Sequence, residues 1–155
     1  MLAKAVLPFA LLFILSGCGG AAQKTRGPTA GVRGQGFTFE VLQGWRISRP
    51  RDAVVARDGK GLVSVTVFPL RKAYDPARFD DVVKALDSVA ARLATAAHSS
   101  VSESESITVA DRKTRAYRYD GKRIAFVLEG AREYQLFCSP DSDACDLLFE
   151  SFSLQ

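Results

Sequence analysis

The sequence predicts an α+β domain, a mainly antiparallel sheet with helices packed on its faces. Three observations lead there. Short β-rich runs are joined by glycine-containing turns, one long amphipathic helix separates two such groups, and a short helical segment precedes a final alternating run. Hydrophobic residues make up 47% of the 155-residue chain and charged residues 25%. That balance suits one globular domain with one core. It excludes a disordered chain, a multi-pass membrane protein and a cysteine-stapled miniprotein.

The chain opens on an address. Lys4 supplies a positive start and Ala5 to Leu15 an apolar run, the length of a secretory core segment and short of the roughly 20 residues a membrane-spanning helix needs. Leu15-Ser16-Gly17-Cys18 follows, a branched apolar residue, two small residues and a cysteine. It resembles the lipobox of bacterial lipoproteins. By that resemblance residues 1–17 are a signal peptide and Cys18 is acylated with chains such as palmitate, two or more of which anchor a protein stably. The expected location is extracytoplasmic, on the cell membrane or outer membrane. Residues 18–36, from the lipidated cysteine through a glycine-rich stretch, read as a flexible tether because they carry too little apolar surface to offset chain entropy.

A single domain is expected over residues 37–155. Phe37 to Val41 alternates as a half-buried strand and Gly44-Trp45 ends it. Ala53 to Arg57 and Leu62 to Phe68 flank Asp58-Gly59-Lys60-Gly61, a hairpin signal, with Val63, Val65 and Val67 forming the face turned to the core. A helix is predicted from Pro76 to Ala97. Asp75 suits its cap and Pro76 the first helical position, where a missing N–H costs nothing. Phe79, Val82, Val83, Leu86, Val89, Ala90 and Leu93 make its apolar stripe. Strands return from Val101 to Ala110, from Thr114 to Tyr119 and from Lys122 to Glu129, the last two joined by the Asp120-Gly121 turn. Another strand over Glu133 to Cys138, a short helix at Asp143 to Phe149 and a closing strand at Ser151 to Leu154 complete the order.

With Cys18 lipidated, Cys138 and Cys145 remain as an even pair. In an exported protein that favours a structural disulfide, worth about 2–3 kcal/mol on the chain-entropy model. A redox couple or metal pair is the weaker alternative, since the spacing is not Cys-x-x-Cys and the one histidine, His98, stands far off in sequence.

Catalytic motifs are missing: there is no Gly-x-Ser-x-Gly, phosphate loop or His-Glu-x-x-His, so a non-enzymatic protein without cofactor or metal is expected. His98 reads as a residue meeting the free carbonyls of the helix end. Glu103 and Glu105 share a strand face, and Asp141, Asp143 and Asp146 lack the glycine and glutamate of a calcium loop. Arg46, Arg49 and Arg51 around Pro50, and Arg115, Arg118 and Arg123 on the second hairpin, are the candidate partner-binding residues. Their alternative role is to guard exposed strands against edge pairing. The formal charge of +4 is scattered among acids and makes no case for nucleic acid.

The run Phe37-Thr38-Phe39-Glu40-Val41-Leu42-Gln43-Gly44-Trp45 resembles the opening of the PsbP/Mog-like family, and the element order through Glu133-Tyr134-Gln135-Leu136 and Ser151-Phe152-Ser153-Leu154 is similar to that family's. Exported lipoproteins of this shape include the LpqN-like group. The resemblance implies an α/β/α sandwich around an antiparallel sheet, used for binding and assembly. No functional residue of the family carries over: Gln43 stands where the family has proline, and His98 matches no metal-site histidine. The expected role is a lipid-anchored binding or assembly domain supporting an envelope or membrane protein. The alternative is a carrier of a lipid or other small amphiphile, which excess volume beside Val83, Leu86 and Val89 would favour.

Overall fold

The computed structural model describes residues 26–155. The signal segment 1–17 and Cys18 lie outside the described residues. In chain order the strands and helices are β1 Thr29–Gly34, β2 Phe37–Leu42, β3 Arg46–Ser48, β4 Ala53–Arg57, β5 Leu62–Pro69, α1 Phe79–Ala96, β6 Glu103–Val109, β7 Arg112–Tyr119, β8 Lys122–Glu129, β9 Arg132–Ser139, α2 Asp143–Ser151 and β10 Ser153–Leu154.

Strands β3 to β9 form one seven-stranded sheet in the order β3-β4-β5-β9-β8-β7-β6, antiparallel at every pairing. Side chains alternate across it and feed two cores. On one face Val63 and Val65 of β5, Ala125 and Val127 of β8, and Tyr134 and Leu136 of β9 pack with Phe37, Phe39, Leu148 and Phe152. On the other, Tyr117, Tyr119, Ile124 and Phe126 pack against Leu86, Ala90 and Ala94 of α1. The expected α+β sandwich is thus present, and the valine face of β5 points inward as its pattern requires. Its reverse face carries Phe68, 42% exposed, because α1 lies over β7 and β8.

The expected tether is corrected at its C-terminal end. Residues 29–34 form β1, paired along its length with β2, and β10 joins β2 from the other side. Val32 is buried in the first core, and that core lends the stability that the glycine-rich composition does not advertise. With α2, this small sheet covers the face of the main sheet opposite α1.

Local chemistry starts and stops α1. The Asp75 carboxylate accepts from the Ala77 N–H at 3.0 Å, and Pro76 leads a 3₁₀ turn, Pro76–Arg78, into the helix. At the other end His98 adopts φ +56°, with its N–H on Thr95 O and that of Ser99 on Ala94 O. This is a Schellman stop with histidine in the place glycine usually takes. His98 therefore meets the end carbonyls through its main chain, while its residue surface is exposed. The Asp120-Gly121 turn has φ of +49° and +64°, the doubly left-handed turn that suits a two-residue hairpin.

Candidate functional site

The six candidate arginines fall into three places. Arg115 lies on the α1 face, its Nε donating to Asp87 at 3.3 Å and its guanidinium to Ser104 at 2.9 Å. Arg118 and Arg123 lie on the opposite face, opposed in register between β7 and β8. Arg118 is clasped by Glu103 at 2.6 Å and Asp141 at 2.7 Å, which raise its pKa above the ordinary arginine value. Arg123 reaches Asp146 of α2 at 3.2 Å and sits 4.5 Å from the Phe149 ring centroid. Its side chain is 11% exposed. The guanidinium groups expected to meet a partner from the second hairpin are therefore engaged by acids of this chain. Asp87 engages Arg115, Glu103 and Asp141 engage Arg118, and Asp146 engages Arg123.

Tyr117 shares the Asp87 carboxylate. It is buried, its hydroxyl donates to Asp87 Oδ1 at 2.7 Å, and burial, then that hydrogen bond, raise its pKa well above the phenol value. The unfolded phenol ionises near pH 10, while the folded one holds its proton to higher pH. The contribution of Tyr117 is then complete below about pH 10 and drains away as pH rises beyond it. Tyr117→Phe is expected to flatten the alkaline fall of the thermal midpoint, with Tyr119, raised in the same direction by burial, leaving a residual slope. An equally steep fall in the variant would refute this.

Arg46, Arg49 and Arg51 separate along β3. Arg46 begins the strand, whereas Arg49 and Arg51 lie in the turn after it. All three are exposed, and Arg51 approaches Asp52 only at 3.9 Å.

Cys138 and Cys145 form the expected disulfide, with Cα atoms 5.6 Å apart, joining β9 to α2. Asp141 brings a carboxylate within 4.8 Å of both sulfurs. The sulfurs are spent on each other and are not the thiolates a metal would need.

Excess volume beside Val83, Leu86 and Val89 is the condition that would favour the carrier reading. A cavity of about 520 Å³ lies there, lined from α1 by Val82, Ala85, Leu86 and Val89, from β8 by Leu128 and from the preceding loop by Leu70, Ala73 and Tyr74. Of those three residues Leu86 and Val89 line it, and Val82 does so in place of Val83. The loop is pinned by the Leu70 N–H on Ala131 O at 2.9 Å and the Tyr74 N–H on Gly130 O at 2.7 Å. Lys72, Asp75, Arg78, Asp81 and Glu133 add charge to the lining, with Arg78 and Asp81 paired at 3.1 Å. A small, mostly apolar cavity with a few charged groups suits a ligand with an apolar body and a polar end. Leu70, Tyr74 and Leu128 went unread because they reach this space from separate elements. The only local signal was the apolar Leu70 and Tyr74 within a charged loop.

No family model matches the sequence, and no curated protein matches it. Solved structures do match in shape. The solution structure of cyanobacterial PsbP (CyanoP) from Synechocystis sp. PCC 6803 superposes with a TM-score of 0.63 at 14% identity, covering 91% of this chain and 99% of that one. The fold is PsbP-like. A protein from Bacteroides thetaiotaomicron VPI-5482 superposes with a TM-score of 0.50 at 9% identity, over 84% of this chain and 49% of the other. The resemblance carried by Phe37 to Trp45 and by the element order is thereby supported at the level of fold. Among the described residues of this PsbP-like domain, no helix is long and apolar enough to cross a membrane.

Proposed function

We propose that this chain is a non-enzymatic extracytoplasmic lipoprotein, held at a membrane by acylated Cys18, whose PsbP-like domain carries a small amphiphile in the cavity beside α1. The cavity is the observation that supports the carrier reading over the assembly reading ranked first from sequence. An apolar pocket of about 520 Å³ falls in the size range of small-molecule sites, and its apolar walls, set beside charged groups, match a chain with a polar head. The first residues support the location through the lipobox resemblance.

Purification of the mature protein from its own membranes, followed by native mass measurement, tests both parts. The N-terminal peptide is expected to carry acyl chains on Cys18, and the folded protein to retain a small molecule. Ala85→Trp places a large ring in the cavity from an exposed position on α1 and is expected to weaken binding of a fluorescent fatty-acyl probe by about tenfold or more. A wild-type protein that retains nothing and binds no probe would sink the carrier reading.

The assembly reading keeps one specific support. Arg46, Arg49 and Arg51 are exposed on or next to an edge strand of the sheet. A protein companion recovered in stoichiometric amount by in-cell cross-linking, and lost on replacing those arginines, would restore it to first place.

A further inference from the structure

The β3–β4 end of the sheet carries a charge arrangement that the fold itself does not need. Arg46 and Arg57 stand directly opposite in the register, where like charges on neighbouring strands are destabilising. Neither makes an ion pair among the described residues, although the arginines of β7 and β8 are each met by an acid. Lys60 joins them from the β4–β5 turn, and Lys122 from the start of β8. Together the four line a shallow cleft of about 670 Å³ whose apolar lining includes Leu62 and Phe137.

The nearby acids cancel only part of this charge. Asp58 is folded into its own turn, accepting from the Lys60 N–H at 2.9 Å and the Gly61 N–H at 2.8 Å. Asp120 pairs with Lys122. Two carboxylates thus stand against four cations, and the two arginines keep their forked donors open.

We propose that this cleft is a binding site for a phosphate-type oxyanion. Paired guanidinium groups suit a tetrahedral, multiply charged anion through several charge-assisted hydrogen bonds, and such an anion removes the repulsion between Arg46 and Arg57. The apolar lining accommodates an organic group attached to the phosphate. The cleft shares no lining residue with the α1 cavity, so it stands or falls independently of the carrier reading. A lipid headgroup and a soluble phosphate present the same chemistry here.

The test uses the full chain in a non-ionic detergent, titrated with inorganic phosphate and followed by backbone amide NMR and thermal unfolding. Saturable shifts confined to Arg46, Arg57 and residues 59–61 are expected, together with a rise in the thermal midpoint. Arg46→Gln with Arg57→Gln, both at exposed positions, is expected to weaken phosphate binding by about tenfold or more and to abolish that rise. Lys84→Gln with Arg92→Gln, which removes the same charge from exposed positions of α1, is expected to leave both intact. Vesicles of phosphatidylcholine with and without phosphatidylglycerol distinguish the sources. Protection of Arg57 and Lys60 only by the anionic vesicles marks a headgroup site, and saturation by free phosphate without such protection marks a soluble ligand. Shifts spread over every basic surface, or an equal rise of the midpoint in wild type and the Arg46/Arg57 variant, would overturn the proposal.

Discussion

Replacing Phe37 with alanine is expected to destabilise the domain by about 3–5 kcal/mol, the cost of emptying a buried phenylalanine site. Phe37 is 1% exposed. Its ring stacks on Phe39 and Phe152 at 6.1 and 5.8 Å and meets Tyr134 edge-on at 5.9 Å. One side chain therefore binds the small sheet, the segment after α2 and strand β9 into the same core. Gly34 completes the socket from β1. A Cβ there would fall 2.0 Å from the ring, so Gly34→Ala crowds the site that Phe37→Ala empties. The crowded variant is expected to lose about 1–3 kcal/mol. Urea unfolding of the two variants measures both. A loss below about 1 kcal/mol for Phe37→Ala would show that the core collapses around the gap and that the small sheet is held mainly by its backbone pairing.

The same socket shows why β1 was not legible. Gly31, Gly34 and Gly36 lie in or beside a segment with one large apolar residue, Val32, and by composition such a stretch is a linker. It becomes a strand because β2 offers Phe39 opposite Val32 and Phe37 opposite Gly34. The glycine is there to make room for a ring, information that resides in the partner strand. Where the signal was local, the reading held. Asp75-Pro76 starts the helix, Asp120-Gly121 turns the hairpin, and the alternating valines of β5 face inward, each decided by neighbours within a few residues.

The site was legible only in part for the same reason. A sequence displays Arg115, Arg118 and Arg123 as a basic cluster, but their counter-charges arrive from Asp87 on α1, Asp141 in the loop before α2 and Asp146 within it. Alternation then sends Arg115 to one face and Arg118 and Arg123 to the other. Conversely, Arg46 and Arg57 are separated by a turn in sequence, and only the β3–β4 register places them face to face. The cavity was not legible in the sequence, because the apolar stripe of α1 and the large residues facing it, Tyr117, Tyr119, Ile124 and Phe126, read equally well as a filled core. Which residues close it depended on the path of the 70–75 loop.

Removing the Cys138–Cys145 bond is expected to lower stability by about 2–3 kcal/mol, the loop-closure entropy of a short link. The bond spans a sequence separation of seven residues and ties the end of β9 to the first turn of α2. Other contacts cross the same junction. Leu148 and Phe149 bury α2 in the core, and Arg118–Asp141 and Arg123–Asp146 bridge it. Each bridge keeps at least one partly exposed partner and contributes on the order of 1 kcal/mol, so α2 stays docked without the disulfide but frays more readily. Cys138→Ala with Cys145→Ala is the suitable pair, since both positions are fully buried and serine would add unpaired hydroxyls. Dithiothreitol is expected to reduce the wild-type midpoint to near that of the double variant and to leave the variant unmoved. A wild-type midpoint indifferent to reductant would mean that burial of Leu148 and Phe149 alone fixes α2. If the midpoint falls as expected, the covalent tie also protects the interior, since Phe149 and Asp146 on α2 cover the nearly buried Arg123, and a frayed α2 would expose that charge to water.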